Sequence, residues 1–337
     1  MEHSVKPSKA KLRLDSFNRR ALLLALMSSG VAHRAHAQAK SGEPPLRIIV
    51  ATAAGGIPDL MARIIGQQIT TTTGRPVIVE NRIGAGGIVA LNALNSAPAD
   101  GSSVVLIESG SYAIAPHLTN SNPFAENVTP VAPIAIGLLY LCVNASLGVN
   151  TLKELIAYVK AKPGLPYGSS GNGSSHQLLM EQLKLEMGLN MTHIPYRGAG
   201  QTIQALVAGD VGVAFLGYNS AAPQAEAGKL KVLAVASAKR ISATPNIPTV
   251  EEAGGGAMDL PITIGTFANS KTPPQIVEAL NRELGRAASS PEVRAKFAQA
   301  GLLSADGSVT PRQYAAMVKA DFEAYGKIVR AAKLKID

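Results

Sequence analysis

The stretch LRIIVATAAGGIPDLMARIIGQQITTTTGRPVIVE, residues 46–80, decides the fold class. Residues 46–51 form a short apolar run typical of a buried strand, and residues 60–73 repeat apolar side chains at helical spacing. Residues 76–80 have the composition of a second strand. A strand, a helix and another strand in this order predict a β-α-β unit with parallel strands.

The rest of the chain repeats this alternation. Further strands are predicted at 103–108, 165–169, 191–195, 211–215 and 231–236, and helices at 88–97, 151–162, 175–187, 199–208 and, as a group of three, over 273–331. The pattern predicts an α/β fold with parallel-type sheets that helices cover on both faces.

Two longer apolar runs interrupt the alternation, and each has a glycine near its middle. Residues 131–144 contain Gly137, and residues 260–269 contain Gly265. We interpret both as crossover hinge strands that leave one sheet and enter another. This predicts a two-lobed periplasmic-binding-protein clamshell, with residues 44–136 plus 263–337 in one lobe and 137–262 in the other.

The N-terminus has the three parts of a secretory signal peptide. Basic residues precede the apolar run 21–27, and the small-residue site Ala35-His36-Ala37 follows it. The apolar run is far shorter than the roughly 20 residues of a membrane-spanning helix. We therefore expect removal of residues 1–37 and a periplasmic protein. The pair Arg19-Arg20 permits twin-arginine export, and the Sec route stays open.

Composition argues against several functional classes. The formal net charge is +9, but seven of the 32 Lys and Arg residues lie in the leader. No basic cluster with interleaved aromatic residues occurs, so we expect no nucleic-acid partner. Cys142 is the single cysteine and lies in an apolar run, where we expect a buried side chain. We expect no metal and no cofactor, because no ligand pattern or cofactor fingerprint is present. The sequence has no nucleophile elbow and no acid/base pair, so we expect that the protein is not an enzyme.

Glycine-rich loops at the carboxyl ends of strands are the candidate binding elements, because free N–H groups at a helix N-terminus suit anions. The first loop, 52–59, runs through Ala54 to the paired glycines Gly55 and Gly56, which let the backbone turn tightly and approach a ligand. Asp59 at its end either caps the following helix or holds a ligand amine or hydroxyl.

The second loop, 169–175, is dense in hydroxyls, amides and glycines. It lacks the lysine of a phosphate-binding loop and the spacing of a dinucleotide fingerprint. Its candidate residues are Ser170, Gly171, Asn172, Gly173 and Ser174. A third loop offers Ser109 and Ser111 to a ligand or to a helix cap. We interpret a fourth glycine loop, 84–87, as structural.

Together these loops resemble the Bug-type receptors, the extracytoplasmic solute-binding components of tripartite tricarboxylate transporters. The resemblance rests on PLRIIVATAAGGIPDLMARIIGQQ, RPVIVENRIGAGG, SGSYAIAPHL, LPYGSSGNGSSH and HIPYRGAGQTIQALVAGDVGVAF. It implies a clamshell in which the first loop and the YGSSGNGS loop pinch a ligand carboxylate, partly through ordered water. The residues named above in the first and second loops match that clamp, and Ser109 and Ser111 match a third wall.

The chain departs from the family pattern at positions near this clamp. The family often has prolines at positions 53 and 54, and a Thr or Ser where Pro58 stands. Leu216 and Thr263 replace residues that are often Asp and Trp. We therefore expect an intact clamp, with a ligand whose far end is less polar or larger than a C4 dicarboxylate.

The leading hypothesis is a monomeric receptor that captures a small organic carboxylate and delivers it to the membrane subunits of a tripartite tricarboxylate-type transporter. The alternative is a sensor receptor that presents its closed form to the periplasmic domain of a sensor kinase. An enzyme on a binding-protein fold is a third hypothesis, which no acid/base pair supports.

Overall fold

Two mixed β-sheets with flanking helices organise the part of the chain that the structure describes. That part of this computed structural model comprises residues 43–52, 54–84, 87–119 and 121–334. The predicted signal peptide, residues 1–37, lies outside the described residues. The strands are β1 (Leu46–Val50), β2 (Val77–Asn81), β3 (Ser103–Glu108), β4 (Val128–Gly137), β5 (Leu139–Asn144), β6 (Leu165–Ser169), β7 (Met191–Pro195), β8 (Val213–Gly217), β9 (Leu230–Val235), β10 (Ile262–Asn269) and β11 (Leu302–Ser304).

The helices alternate with these strands. They are α1 (Ile57–Thr73), α2 (Ile88–Asn95), α3 (Ala115–Thr119), α4 (Pro123–Asn127), α5 (Leu152–Ala161), α6 (Ser175–Met187), α7 (Ala199–Ala208), α8 (Tyr218–Glu226), α9 (Pro274–Ser289), α10 (Pro291–Gln299) and α11 (Pro311–Ala331). A π-helical turn, Gly110–Ile114, leads from β3 into α3. None of the described helices combines the length and the hydropathy needed to cross a membrane.

The first sheet has the strand order β11-β4-β10-β3-β1-β2. Strand β1 pairs in parallel with β2 and β3, which confirms the β-α-β unit predicted from residues 46–80. Strand β10 is antiparallel to both β3 and β4, and β11 is antiparallel to β4. The sheet is therefore mixed, with parallel strands on one side and antiparallel strands on the other.

The second sheet has the order β7-β6-β8-β5-β9. Strand β6 is parallel to β7 and β8, whereas β5 is antiparallel to β8 and β9. The α/β fold with two sheet-containing lobes is thus confirmed. Cys142 on β5 is fully buried, and burial raises the pKa of its thiol, so its apolar run predicted its environment correctly.

The chain passes between the sheets at two neighbouring points. Strand β4 ends at Gly137 in the first sheet, and β5 begins at Leu139 in the second. The return passage follows β9 and ends where β10 begins, and Ile262 there pairs directly with Gly137. Gly265 lies beyond this passage, inside β10, where an added Cβ would collide with the Tyr314 ring. Its small size makes room for that ring, whereas the crossing itself lies at residues 137 and 262.

Candidate ligand-binding site

A cavity of about 250 Å³ lies between loops that belong to the two sheets. The first sheet's side contributes Glu108, Gly110, Ser111, Ala115 and Leu118, and the second sheet's side contributes Ser170, Asn172, Gly173, Ser174, Ser175 and His176, with Ile262 beside the crossover. The structure therefore brings five of the residues predicted from the second and third loops to one cavity: Ser111, Ser170, Asn172, Gly173 and Ser174.

A second cavity of about 300 Å³ adjoins the first, because Glu108 and Ser111 line both. We call the two cavities together the cleft. The second cavity is also lined by Ala51, Thr52, Pro58, Ile83, Gly84, Gly87, Leu106 and Ile107. The fourth glycine loop, interpreted from sequence as structural, thus contributes two glycines to the wall of the cleft.

The first predicted loop lies at the edge of the second cavity rather than in its wall. Ala54 and Gly55 are exposed and Gly56 is partly exposed, and in the described part of the chain none of them lines either cavity. Thr52, at the start of the loop, and Pro58, the residue before its end, do line the cleft. The Thr52 hydroxyl is buried there with no hydrogen-bond partner among the described residues.

Asp59 turns inward and holds this loop in place. Its Oδ2 accepts hydrogen bonds from the Gly55 amide (2.9 Å) and Arg63 Nε (3.0 Å), and its Oδ1 accepts from Arg63 Nη2 and Asn81 Nδ2 (both 2.9 Å). The hydrogen bond from Arg63 is the largest reason that the pKa of Asp59 falls to about 2, although burial opposes it. Gly56 is the N-cap of α1, and Asp59, the third helical residue, reaches back past it to the amide of Gly55.

Ser174 starts helix α6 and shapes the second loop. Its hydroxyl accepts from the Gln177 amide at 3.3 Å and donates to the Gly171 carbonyl at 2.7 Å. The Gly173 amide donates to Gln177 Oε1 at 2.7 Å, so this donor is already engaged within the protein. The first amides of a helix have no intrahelical acceptor. The amides of Ser175 and His176 are therefore the donors that α6 offers to the cleft.

A layer of polar side chains supports this loop from behind. Ser169 Oγ lies 2.7 Å from His193 Nε2, and Gln177 Nε2 lies 3.1 Å from His193 Nδ1. The Thr202 hydroxyl donates to the Ser169 carbonyl at 2.9 Å. Both ring nitrogens of His193 have partners, so this histidine has a structural role in the layer that supports the loop. A loop tied down in this way presents its amides in a preformed arrangement.

His176 is the histidine that reaches the cleft. Its Nδ1 lies 2.8 Å from the Ser170 hydroxyl. Burial lowers the pKa of His176 to about 4, so its ring is neutral at pH 7 and adds no positive charge to the cleft.

In the third loop, Ser111 lines both cavities. Ser109 is fully buried instead, with its hydroxyl 3.5 Å from the Tyr325 hydroxyl on α11.

Comparison with known proteins identifies the family of this chain. The family model described as "Tripartite tricarboxylate transporter family receptor" matches residues 61–334. The chain belongs to this family. The receptor is 31% identical over 297 residues to the Bordetella pertussis protein BugT, covering 86% of this chain and 90% of that one. These matches confirm the Bug-type resemblance.

Solved structures agree with this membership. The R. palustris protein Rpa4515, solved with adipate, has a TM-score of 0.77 and 28% identity, covering 87% of this receptor and 99% of that chain. MatC from Rhodopseudomonas palustris, solved with bound malate, has a TM-score of 0.72 and 28% identity, covering 86% and 100%. The family and the fold are those of substrate-binding receptors and not of enzymes.

Two of the departures from the family pattern, Leu216 and Thr263, do not line the described cavities. Leu216 is fully buried in the core of the second sheet, and Thr263 is buried on β10. Pro58, by contrast, lines the second cavity.

Sequence reasoning missed Glu108, Ser175 and His176, which all line the first cavity. Glu108 ends β3, and the carboxyl end of a parallel strand was the signal available for it.

Proposed function

We propose that this receptor binds the carboxylate of a small organic acid in the cleft and delivers it to the membrane subunits of a tripartite tricarboxylate-type transporter. The observation that carries the proposal is the N-terminus of α6, whose first residues, Ser175 and His176, line a cavity enclosed by loops of both sheets. A helix N-terminus combines free N–H donors with a partial positive charge, so it favours a single anionic group.

The lining of the cleft favours recognition by backbone donors. No lysine or arginine is among the described residues that line either cavity. An anion there is held by amides and hydroxyls rather than by a basic side chain, with Asn172 and Ser111 as additional donors. The adipate and malate bound to the two similar structures each carry a carboxylate group of the kind that amide and hydroxyl donors bind.

The two crossing points provide the hinge for capture. We assign residues 44–136 plus 263–337 to one lobe and 137–262 to the other, meeting at the paired residues Gly137 and Ile262. A ligand that contacts loops of both lobes favours their approach by its differential affinity for the closed state. The closed monomer would then be the form that docks on the membrane subunits.

The proposed location requires export. The leader, residues 1–37, would be removed at the Ala35-His36-Ala37 site by the Sec or the twin-arginine route. Amino-terminal sequencing of the periplasmic protein should begin at Gln38. A secreted form that still carries Arg19 and Arg20 would contradict this part of the proposal.

The decisive experiment is identification of the ligand. Protein purified without unfolding is denatured, and the released small molecules are identified by mass spectrometry, then titrated back by calorimetry beside adipate and malate. We expect one carboxylate to bind with a stoichiometry of one. Uptake of that acid in cells lacking this receptor distinguishes a transport role from a sensor role. Lost uptake supports transport, whereas unchanged uptake with a lost transcriptional response supports the sensor. Binding of no carboxylate would refute the proposal.

A further inference from the structure

Glu108 lies where the two cavities of the cleft adjoin. It is the last residue of β3, it is partly buried, and it lines both cavities. Its Oε1 lies beside Gly110, 3.7 Å from where a Cβ on that glycine would stand, and Gly110 also lines the first cavity. Glu108 therefore lines the same cavity as Ser175 and His176, the first residues of α6.

The Glu108 carboxylate has no partner among the residues that the structure describes. It takes part in no ion pair there, and burial alone raises its pKa, with no hydrogen bond or neighbouring charge contributing. Two other enclosed carboxylates among the described residues do have partners: Glu181 pairs with Lys184 at 2.7 Å, and Asp321 accepts from the Tyr112 hydroxyl at 2.8 Å. A desolvated carboxylate without a partner is unfavourable, so Glu108 favours whatever cation or donor enters the cleft.

We propose that Glu108 is a specificity-determining residue that selects a carboxylate carrying a protonated amine, and this rests on the proposed function. The ligand carboxylate binds the amides at the N-terminus of α6, and the ammonium group binds the carboxylate of Glu108. The Ser111 hydroxyl lines both cavities beside Glu108 and accepts a second hydrogen bond from the ammonium group. Amide donors and a carboxylate facing one cavity thus match the two opposite charges of a zwitterion.

The same arrangement disfavours a dicarboxylate. A second ligand carboxylate would lie near the negative charge of Glu108, and no basic side chain in the described lining of the cleft offsets that repulsion. The volume of the first cavity, about 250 Å³, accommodates about eight water-sized groups at roughly 30 Å³ each. A short amino acid or ω-amino acid has about this size.

The test is a matched ligand series titrated by calorimetry. The amino acids 4-aminobutanoate, 5-aminopentanoate and 2-aminopentanoate are compared with succinate, glutarate and pentanoate, using wild type, Glu108→Gln and the control Glu251→Gln. Glu251 is exposed in a turn after β9, so its substitution removes the same charge outside the cleft. Melting curves verify that each variant is folded.

We expect wild type and Glu251→Gln to bind at least one amino acid of the series ten- to a hundredfold more tightly than the matched dicarboxylate. Glu108→Gln should lose this preference, through weaker binding of the amino acid and tighter binding of the dicarboxylate. Equal or better binding of glutarate by wild type, with no change in Glu108→Gln, would overturn this inference and leave the proposed function standing. Failure of every carboxylate to bind would remove both.

Discussion

Replacement of Ser175 by proline tests the carboxylate clamp at a single atom. Ser175 is the first residue of α6, so its amide has no partner within the helix, and proline at this position removes the N–H without breaking a helical hydrogen bond. The chain already uses this arrangement, because α10 starts with Ser290 as N-cap and Pro291 next. Ser174 has φ −77° and ψ 154°, close to the −63° and 147° of Ser290, so it suits a following proline.

The expected loss follows from the number of donors. Helix α6 offers the amides of Ser175 and His176 to the cleft, since the Gln177 amide is bonded to Ser174 Oγ. Proline at position 175 removes one of the two. A hydrogen bond to a charged group contributes about 1.5–3 kcal/mol, so affinity should fall about ten- to 150-fold. The enthalpy of binding should fall with it.

The assay is calorimetric titration with the tightest-binding acid of a panel that includes adipate and malate, together with a melting curve. Ser175→Ala and Ser175→Val are the matched controls, because both remove the hydroxyl and keep the amide, and valine also adds bulk. Both controls should bind within a few-fold of wild type. If Ser175→Pro melts normally and binds like Ser175→Ala, the N-terminus of α6 does not hold the carboxylate and the clamp is wrongly placed.

Three further predictions concern the loops and the hinge. Asp59→Asn should reduce the free energy of unfolding at neutral pH by about 1–2 kcal/mol, a figure reduced to allow for the half-exposed Arg63. The folded-state pKa of Asp59 is lowered, so its contribution to the free energy of unfolding is complete above about pH 4 and disappears as the pH falls through about 2. Chemical denaturation should therefore show the stabilities of the two proteins converging in acid. A difference in stability that stays constant with pH would contradict this role. Asn172→Asp should weaken binding of an anion at least tenfold, and Asn172→Ala less, as calorimetry can measure; equal losses would argue against charge repulsion at this position. Saturating ligand should reduce the radius of gyration measured by small-angle X-ray scattering, through closure about Gly137 and Ile262, and an unchanged radius would count against a clamshell.

Much of the fold was predictable because its signals are local. The apolar runs and helical periodicity of residues 46–80 predicted β1, α1 and β2, and the structure places a strand, a helix and a parallel strand there. Strand direction was less accessible. Strands β4, β5 and β10 run antiparallel to their neighbours, and nothing in the composition of a strand states which strand it will pair with.

The binding site, like the fold, was only partly predictable from the sequence. The second and third loops were recognisable from their composition and their position after strands, and Ser111 and Asn172 do line the cleft. The role of Asp59 could not be decided from its sequence neighbours, because Asp59 lies on α1 and one of its partners, Asn81, lies on β2. Glu108 went unrecognised for a related reason. A glutamate at a strand end is ordinary until the structure shows that no described cation reaches it.

The amino-acid sequence by itself determined the α/β class, the loops that flank the cleft and the family to which the chain belongs. These follow from periodicity, glycine placement and motifs, which neighbouring residues along the chain are enough to define. Only the tertiary structure decided which polar groups remain available to a ligand. The Gly173 amide is engaged by Gln177, whereas Ser175 and Glu108 line the cleft and the Glu108 carboxylate has no partner among the described residues. Availability depends on the conformation that each loop adopts and on which segments surround it, and both are fixed only when the chain folds.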